Sequence, residues 1–422
     1  MTDTICALAT ATGGAIGIIR ISGPRSLEIL SQVFSKDISN AQPNTIHYGY
    51  IGDIDEVLVS IFRSPHSYTG EDSAEISCHG SRYILNKVLE LLVQNGCRMA
   101  SPGEYTQRAY LNGKMDLSQA EAVADLIAST NQATHRLAMS QLRGGISSEL
   151  SRLRDKLLEL TSLLELELDF SDHEDLEFAN RAELFQLATA IEQHINRLAT
   201  SFETGNALKN GIPTAIIGAP NVGKSTLLNA LLGEARAIVS DIQGTTRDAI
   251  EDTINLGGIT FRFIDTAGIR HTSDTIEQLG IERSMTAAKR ARIILLMTEP
   301  GIPYPDIETR NDQTVIRIEN KTESFQAKNG IGLDELKQRL IAAAPTFADT
   351  DIIVTNARHY EALQRADVSI QRVIEGFNNG LPGDLLSEDL RQVLDIIAEI
   401  TGGQITPQET LNNIFAHFCV GK

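Results

Sequence analysis

Residues 218–225 read GAPNVGKS and match G-x-x-x-x-G-K-[ST] at every fixed position. The string follows the apolar TAII (Thr214–Ile217) and precedes TLLNALLG (Thr226–Gly233), the strand-then-helix setting this motif requires. Glycines in such a turn let backbone N–H groups wrap phosphate oxygens. A lysine reaches the β- and γ-phosphates, and a serine hydroxyl ligates magnesium. Lys224 and Ser225 hold those two positions. A second string, FIDTAG (Phe263–Gly268), ends an apolar run on Asp265, where a magnesium-supporting aspartate stands in nucleotide hydrolases. The backbone N–H of Gly268 can donate to a γ-phosphate. Between the two lies SDIQGTTRD (Ser240–Asp248), a polar loop whose threonine pair can complete a magnesium shell. Each string alone is weak; in this order and spacing they read as a GTPase.

Guanine selection normally rests on Asn-Lys-x-Asp, whose carboxylate accepts two hydrogen bonds from the base. Here NKTE (Asn320–Glu323) stands in that place, with Glu323 one methylene longer. AKNG follows almost at once, with no room for the usual helix and strand between. Either this subdomain is shortened or the base pocket is built differently, and purine promiscuity is the alternative to strict guanine selection.

The elements needed to position these residues are visible in the patterning. From Gly211, short apolar strands (TAIIGA, ITFRFIDTAG, ARIILLMT) alternate with helices, as buried parallel strands with crossover helices do. Before this segment, residues 1–117 mix the strands GAIGIIRISG, EVLVSIFRS and AEISCHG with the amphipathic helix YILNKVLELLVQNG, an α+β arrangement. From Ser118 the chain turns helical. Ile146, Leu150, Leu153, Leu157, Leu160 and Leu164 then recur at 4, 3, 4, 3, 4, a heptad seam. One long helix in a bundle is the plain reading of that seam, and a two-chain coiled coil the alternative. The acidic run ELELDFSDHEDLE after it reads as a solvated turn and helix cap. After about Ala344 the chain is helical again. The parse is therefore a multidomain α+β protein: 1–117, a helical domain in two segments (118–207 and 346–422), and an α/β P-loop domain inserted at 208–345.

Composition narrows the function classes. The 422 residues are 42% hydrophobic and 22% charged, ordinary for a globular protein. A net charge of −18, from 55 acidic and 37 basic side chains, argues against a general polyanion-binding surface. Cys6, Cys78, Cys97 and Cys419 are scattered and form no CxxC-type motif, which fits a reducing cytosol. The N-terminus has no basic n-region of a signal peptide, and the longest apolar runs are far too short to span a bilayer.

With these residues in hand, the chain resembles the MnmE (TrmE) family of tRNA-modification GTPases. The resemblance rests on GAIGIIRISG, SPHSYTGEDSAEISCHG, SPGEYTQRAYLNGKMDLSQAEAVADLI, the P-loop motifs and the tail FCVGK. It implies an N-terminal folate-binding and dimerisation domain, a helical domain from two segments and an inserted Ras-like G domain. The implied work is installation of a (carboxymethyl)aminomethyl group at carbon 5 of the tRNA wobble uridine. The one-carbon unit would come from 5-formyltetrahydrofolate or 5,10-methylenetetrahydrofolate. A flavoprotein partner, MnmG (GidA), would carry FAD and NADH, and a homodimer would act on tRNA in the cytoplasm without a membrane. GTP hydrolysis would be stimulated by potassium.

Carried over by motif, the folate site implies Arg20, Glu75, Lys114 and Lys422, with Cys419 beside it. Nucleotide binding implies Asn221, Val222, Gly223, Lys224, Ser225 and Thr226 in the P-loop. It also implies Ser240, Asp241, Ile242, Gln243, Gly244, Thr245 and Thr246 in the next loop, then Asp265, Thr266, Ala267 and Gly268, and Asn320, Lys321 and Glu323 at the base. Magnesium would take Ser225 and Thr246; potassium would take Asn221, Ser240, Ile242 and Thr245. Ile269 follows DTAG where Ras-type enzymes place glutamine, and the family position for orienting water matches Glu277. Two departures stand out: NKTESFQAK is shorter than the family pattern, and ATATGGAIG has no arginine where a GRGG-like loop would place one. A regulatory GTP switch, such as a ribosome-assembly GTPase, shares residues 218–268 but would carry a basic RNA-binding appendage. A folate-binding protein with a vestigial G domain is the third reading.

Overall fold

The computed structural model describes residues 3–169, 181–235, 252–264, 285–346, 348, 351–403, 408–416 and 418–421. The chain divides into two compact units. One comprises Met1–Ala128, Met139–Glu192 and Arg365–Lys422; the other comprises Ser129–Ala138 and Gln193–Gln364.

The first unit opens with strands β1 (Ile5–Leu8) and β2 (Ile16–Ser22), helix α1 (Ser26–Val33), and strands β3 (Ile46–Ile51), β4 (Asp55–Phe62) and β5 (Ser73–His79). Helix α2 (Arg82–Gln94), strand β6 (Arg98–Met99) and helix α3 (Glu104–Leu111) follow. The sheet order is β3-β4-β5-β2-β1-β6. Its pairings are antiparallel except for β1 with β6. The alternation in DEVLVSIF buries Val57, Val59 and Ile61 on one face, as a strand with one solvated side does. Leu27, Leu30, Leu85, Val88 and Leu92 of α1 and α2 close that face.

Helices α4 (Leu117–Ala128), α5 (Gln132–Leu142) and α6 (Gly145–Asp169) come next. The helical stretch from Ser118 is divided into α4, α5 and α6, and the heptad seam lies on the single helix α6. Asn131 supplies the break: its Oδ1 accepts the Thr134 N–H at 2.8 Å, an N-cap bond that starts α5. All six residues of the heptad seam are buried. Their cover comes from this same chain, since α6 packs on a later helix, Gly383–Thr401. That helix buries Leu386, Leu390, Val393, Ile397 and Ile400 at matching spacing. The acidic run expected to cap the seam helix lies largely outside the described residues.

Helix α7 (Arg181–Asn210) begins in the first unit and ends in the second, where it is continued by β7 (Ile212–Gly218), α8 (Lys224–Ala235), β8 (Asp252–Leu256) and β9 (Ile259–Phe263). Then come β10 (Ile293–Thr298), β11 (Thr314–Glu319), α9 (Leu333–Ala343) and α10 (Ala357–Asn378). In the first unit, Gly383–Thr401 is α11, and α12 (Gln408–Phe415) is the last described helix. The second sheet runs β11-β10-β7-β9-β8. Its strands are parallel except β8, which pairs antiparallel with β9 at the edge. Every residue of β10 is buried, the pattern of a central parallel strand. The β10–β11 connection, 299–313, carries no helix, although crossovers between parallel strands usually do. The stretch 320–332 before α9 holds only an isolated bridge, Gln326 with Ile331.

The seam yields a direct test. Leu157→Ala should cost about 2–5 kcal/mol by urea denaturation, because it empties a fully buried site. Leu158→Ala, at a position 37% exposed, should change stability by less than about 1 kcal/mol. Equal losses at the two positions would contradict the packing described.

Candidate functional site

Strand β7 is flanked by β10 and β9, so its C-terminal end opens at the middle of the sheet. The chain leaves it at Gly218 and enters α8 at Lys224. Two residues of this turn are left-handed: Asn221 at φ 59° and Gly223 at φ 96°. A Cβ at 223 would lie 2.5 Å from Nδ2 of Asn320, so only glycine fits. Asn320 is itself buried. Its Nδ2 donates to the Val222 carbonyl at 2.9 Å, and its Oδ1 accepts the Ala327 N–H at 3.1 Å. The side chain thereby binds the phosphate turn to the loop after β11.

Lys224 curls back over the turn. Its Nζ donates to the carbonyls of Gly218 and Ala219, both at 2.8 Å. Burial pushes its ammonium below the usual lysine range. Its partners among the described residues are the neutral carbonyls of Gly218 and Ala219. The free N–H groups at the start of α8 favour an anion. Ser225 and Thr226 follow in the first turn of α8.

At the base-binding string, Lys321 is left-handed at φ 65°. Thr322 and Phe325 close a tight turn, in which the Thr322 N–H donates to the Phe325 carbonyl at 3.1 Å and Thr322 Oγ1 accepts the Phe325 N–H at 3.0 Å. Glu323 is exposed on this turn. Ser240, Asp241, Ile242, Gln243, Gly244, Thr245, Thr246, Asp265, Thr266, Ala267, Gly268, Glu277 and Lys422 lie outside the described residues.

The second cluster of sequence-selected residues lies in the first unit. Arg20 on β2 and Glu75 on β5 are register partners, and the guanidinium meets the carboxylate at 2.8 Å. Arg20 Nη1 also donates to the Gly421 carbonyl at 3.0 Å, so the chain tail reaches this corner. The tail is seated by apolar contact: the Phe415 and Phe418 rings lie 5.1 Å apart, both buried. The Gly103 N–H donates to the Cys419 carbonyl at 3.3 Å, while Cys419 is exposed. Lys114 is held elsewhere on the same domain, its Nζ donating to the Pro65 carbonyl at 2.8 Å.

Sequence reading did not single out the residues around this corner. The rings of Tyr68 and Tyr105 each lie 5.5 Å from the Arg20 guanidinium. Burial raises both phenol pKa values and favours their neutral forms; the Tyr105 hydroxyl donates to the Arg20 carbonyl at 2.8 Å. Arg108, itself buried, centres a charge network on α3. Arg108 donates to Glu104 at 2.9 Å, to Asp3 at 2.8 Å and to Glu71 at 3.1 Å. Burial opposes ionisation of Glu104, but Arg98, the Ser101 N–H and Arg108 outweigh it and hold its carboxyl below the usual range. All these residues except Asp3 and Arg98 lie in the strings SPHSYTGEDSAEISCHG and SPGEYTQRAYLNG, but nothing in a linear string pairs them.

Comparison with known proteins now decides the family. Residues 4–114 match the model described as GTP-binding protein TrmE N-terminus, and residues 117–419 match the MnmE helical domain. The chain belongs to the MnmE family. A relative from Bacteroides fragilis is 55% identical over 464 aligned positions, covering 100% of this chain and 99% of the relative. One from Bacteroides thetaiotaomicron is also 55% identical, with the same coverage. One from Christiangramia forsetii is 48% identical, with both chains covered in full. Each of these relatives bears the name tRNA modification GTPase MnmE. An alignment of 464 positions over 422 residues leaves about 42 positions with no counterpart here.

Gly223→Ala should abolish saturable binding of a fluorescent guanine nucleotide, because its methyl meets the Asn320 amide. Gly233→Ala, where a Cβ would meet nothing within 4 Å, should bind like the parent. Retained binding by the first variant would show that the turn tolerates movement away from Asn320.

Proposed function

We propose that this chain is a tRNA-modification GTPase whose hydrolysis is stimulated by potassium. With a flavoprotein partner of the MnmG (GidA) type, it adds a (carboxymethyl)aminomethyl group at carbon 5 of the wobble uridine. The observation that carries the reading is Lys224: a half-buried ammonium resting on two neutral carbonyls at the head of α8, in a GAPNVGKS turn pinned by Asn320. Identity of 55% over the whole chain to proteins named tRNA modification GTPase MnmE supports the tRNA half of the proposal.

In this reading 208–345 is an inserted Ras-like G domain. The β11-β10-β7-β9-β8 order, with the phosphate turn on the central strand, supports it. Residues 1–117 form the folate-binding domain, and 118–207 with 346–422 form the helical domain. The P-loop residues Asn221 to Thr226 bind phosphates, Lys224 offsets γ-phosphate charge, and Asn320, Lys321 and Glu323 meet the base. Ser225 and Thr246 would hold magnesium; Asn221, Ser240, Ile242 and Thr245 would hold potassium. Bound there, the two cations supply positive charge against the charge that develops on the transferring phosphoryl group. Ser240 to Thr246 and Asp265 to Gly268 close the nucleotide site, and Glu277 orients the attacking water.

The corner of Arg20, Glu75 and the tail is the folate site in this proposal, with Lys114 and Lys422 on the anionic end of a tetrahydrofolate donor and Cys419 beside it. Its donor set fits such a ligand, since a guanidinium, a carboxylate and two neutral phenols stand around one point. A homodimer is supported by the sheet face that bears this corner. Register aligns Ile46, Ser60, Glu75 and Arg20 in one row across it. Its edge strand β3 exposes Ile46, Tyr48 and Tyr50. Among the described residues no helix is long and apolar enough to cross a membrane. A tRNA substrate would place the work in the cytoplasm.

Lys224→Ala should abolish GTP turnover; a rate within about twofold of the parent would contradict the P-loop assignment. Potassium should accelerate turnover relative to sodium, and Asn221→Ala should lose that response while still binding nucleotide. Equal rates in the two salts would remove potassium from the mechanism. Deleting Cys419–Lys422 should leave GTP hydrolysis nearly intact and abolish wobble-uridine modification assayed with the flavoprotein on the same preparation. Loss of both activities would make the tail structural, and loss of neither would dissociate it from the folate site.

A further inference from the structure

We propose that Glu299 is a positioning residue for the nucleotide base, acting through Lys321. The inference rests on the reading of GAPNVGKS and NKTE as one guanine-nucleotide site. Glu299 follows the last residue of β10 and begins the turn Glu299-Pro300-Gly301-Ile302. The Ile302 N–H donates to the Glu299 carbonyl at 3.0 Å, and Gly301 sits at φ 82° behind a proline, the arrangement of a type II turn. Thr298 Oγ1 donates to the Ile302 carbonyl at 2.7 Å and fixes the far end of the turn to the strand. The Thr298 carbonyl in turn accepts the Asn320 N–H at 2.8 Å. The segment that carries Glu299 is therefore fastened directly to the residue before Lys321.

Across that short frame Lys321 Nζ meets Glu299 Oε1 at 2.5 Å. The lysine side chain is 56% exposed, so it fills no core, and an exposed ion pair adds little to stability. Orientation is what the pair supplies. Lys321 has a left-handed backbone, and its neighbour Asn320 is locked onto the phosphate turn. With its ammonium tied down, the methylene stem is presented as a fixed apolar strip beside the nucleotide site, suited to one face of a purine. The loop 320–332 buries Asn320 and Ala327 but leaves Lys321 and Glu323 exposed on its tight turn, so core packing does not set the lysine side chain. A carboxylate delivered from the end of β10 takes the place of that packing.

The test uses the full chain and a fluorescent guanosine diphosphate. Glu299→Ala should weaken binding about fivefold, the upper range for an exposed pair, and Glu299→Asp should recover part of the loss. Lys321→Ala should weaken binding too, and the double variant should bind no worse than Lys321→Ala alone. Inorganic tripolyphosphate, which has no base, should compete equally well in the parent and in Glu299→Ala. The thermal midpoint without nucleotide should not move. Equal affinity of parent and Glu299→Ala, additive losses in the double variant, or an equal loss for tripolyphosphate would each overturn the proposal. A parent chain that fails to bind the guanosine probe at all would overturn the site reading itself, and the inference with it.

Discussion

The Asn320 amide gives its donor to the Val222 carbonyl and its acceptor to the Ala327 N–H, both out of water. Strands β7 and β11 are not neighbours, since β10 runs between them. Their C-terminal loops can meet only through a side chain long enough to cross and polar at both ends. Buried amides need partners, so moving either loop would strand a donor or an acceptor at a cost of about 1–3 kcal/mol. The geometry of the turn follows from that constraint. Asn320 lies against 223, 223 must be glycine, the backbone there is left-handed, and Lys224 emerges where it can fold back on Gly218 and Ala219.

The first unit solves an equivalent problem with full charges. Arg108 is fully buried and shares three carboxylates: Asp3 before β1, Glu71 in the loop before β5, and Glu104 on α3. The two terminal nitrogens carry these pairs while Nε is buried without one, and breaking a partner would leave an uncompensated charge. Glu71 also accepts from Ser22 at 2.8 Å, next to Arg20 on β2. The network thus holds together the β2 strand, the loop that carries Tyr68 and the helix that carries Tyr105. The corner that receives the tail is built on them.

The connections on either side of β11 carry almost no regular structure. Between β10 and β11 a coil replaces the usual crossover helix, and between β11 and α9 only one isolated bridge remains. Parallel register is kept along the whole of β10 and β11, because the core side chains on both faces demand it. Loop length changes closure entropy only slowly, whereas a register slip would turn every buried side chain outward.

The phosphate turn, the seam of α6 and the strands β2, β4, β5, β7, β9 and β10 were legible in the chain itself, whereas β1, β3, β6, β8 and β11 were not read from it. Each legible one is a local pattern: glycine spacing, a 3.5-residue repeat, or an apolar run with turn residues at its ends. Where the helical stretch from Ser118 breaks was not legible, because Asn131 is a cap only when its side chain finds the Thr134 N–H. The seam left two covers open, this chain or a second one. Only packing chose α11, whose own repeat of Leu386, Leu390, Val393, Ile397 and Ile400 matches it. The sequence by itself determined which residues could bind phosphate and which faces must be buried, because composition and spacing act over a few residues. The tertiary structure alone decided that Asn320 grips Val222, that Tyr68 and Tyr105 flank Arg20, that the Gly421 carbonyl reaches it, and that Glu299 meets Lys321. Those contacts join residues far apart along the chain, and a hydrogen bond or ion pair depends on separation in space.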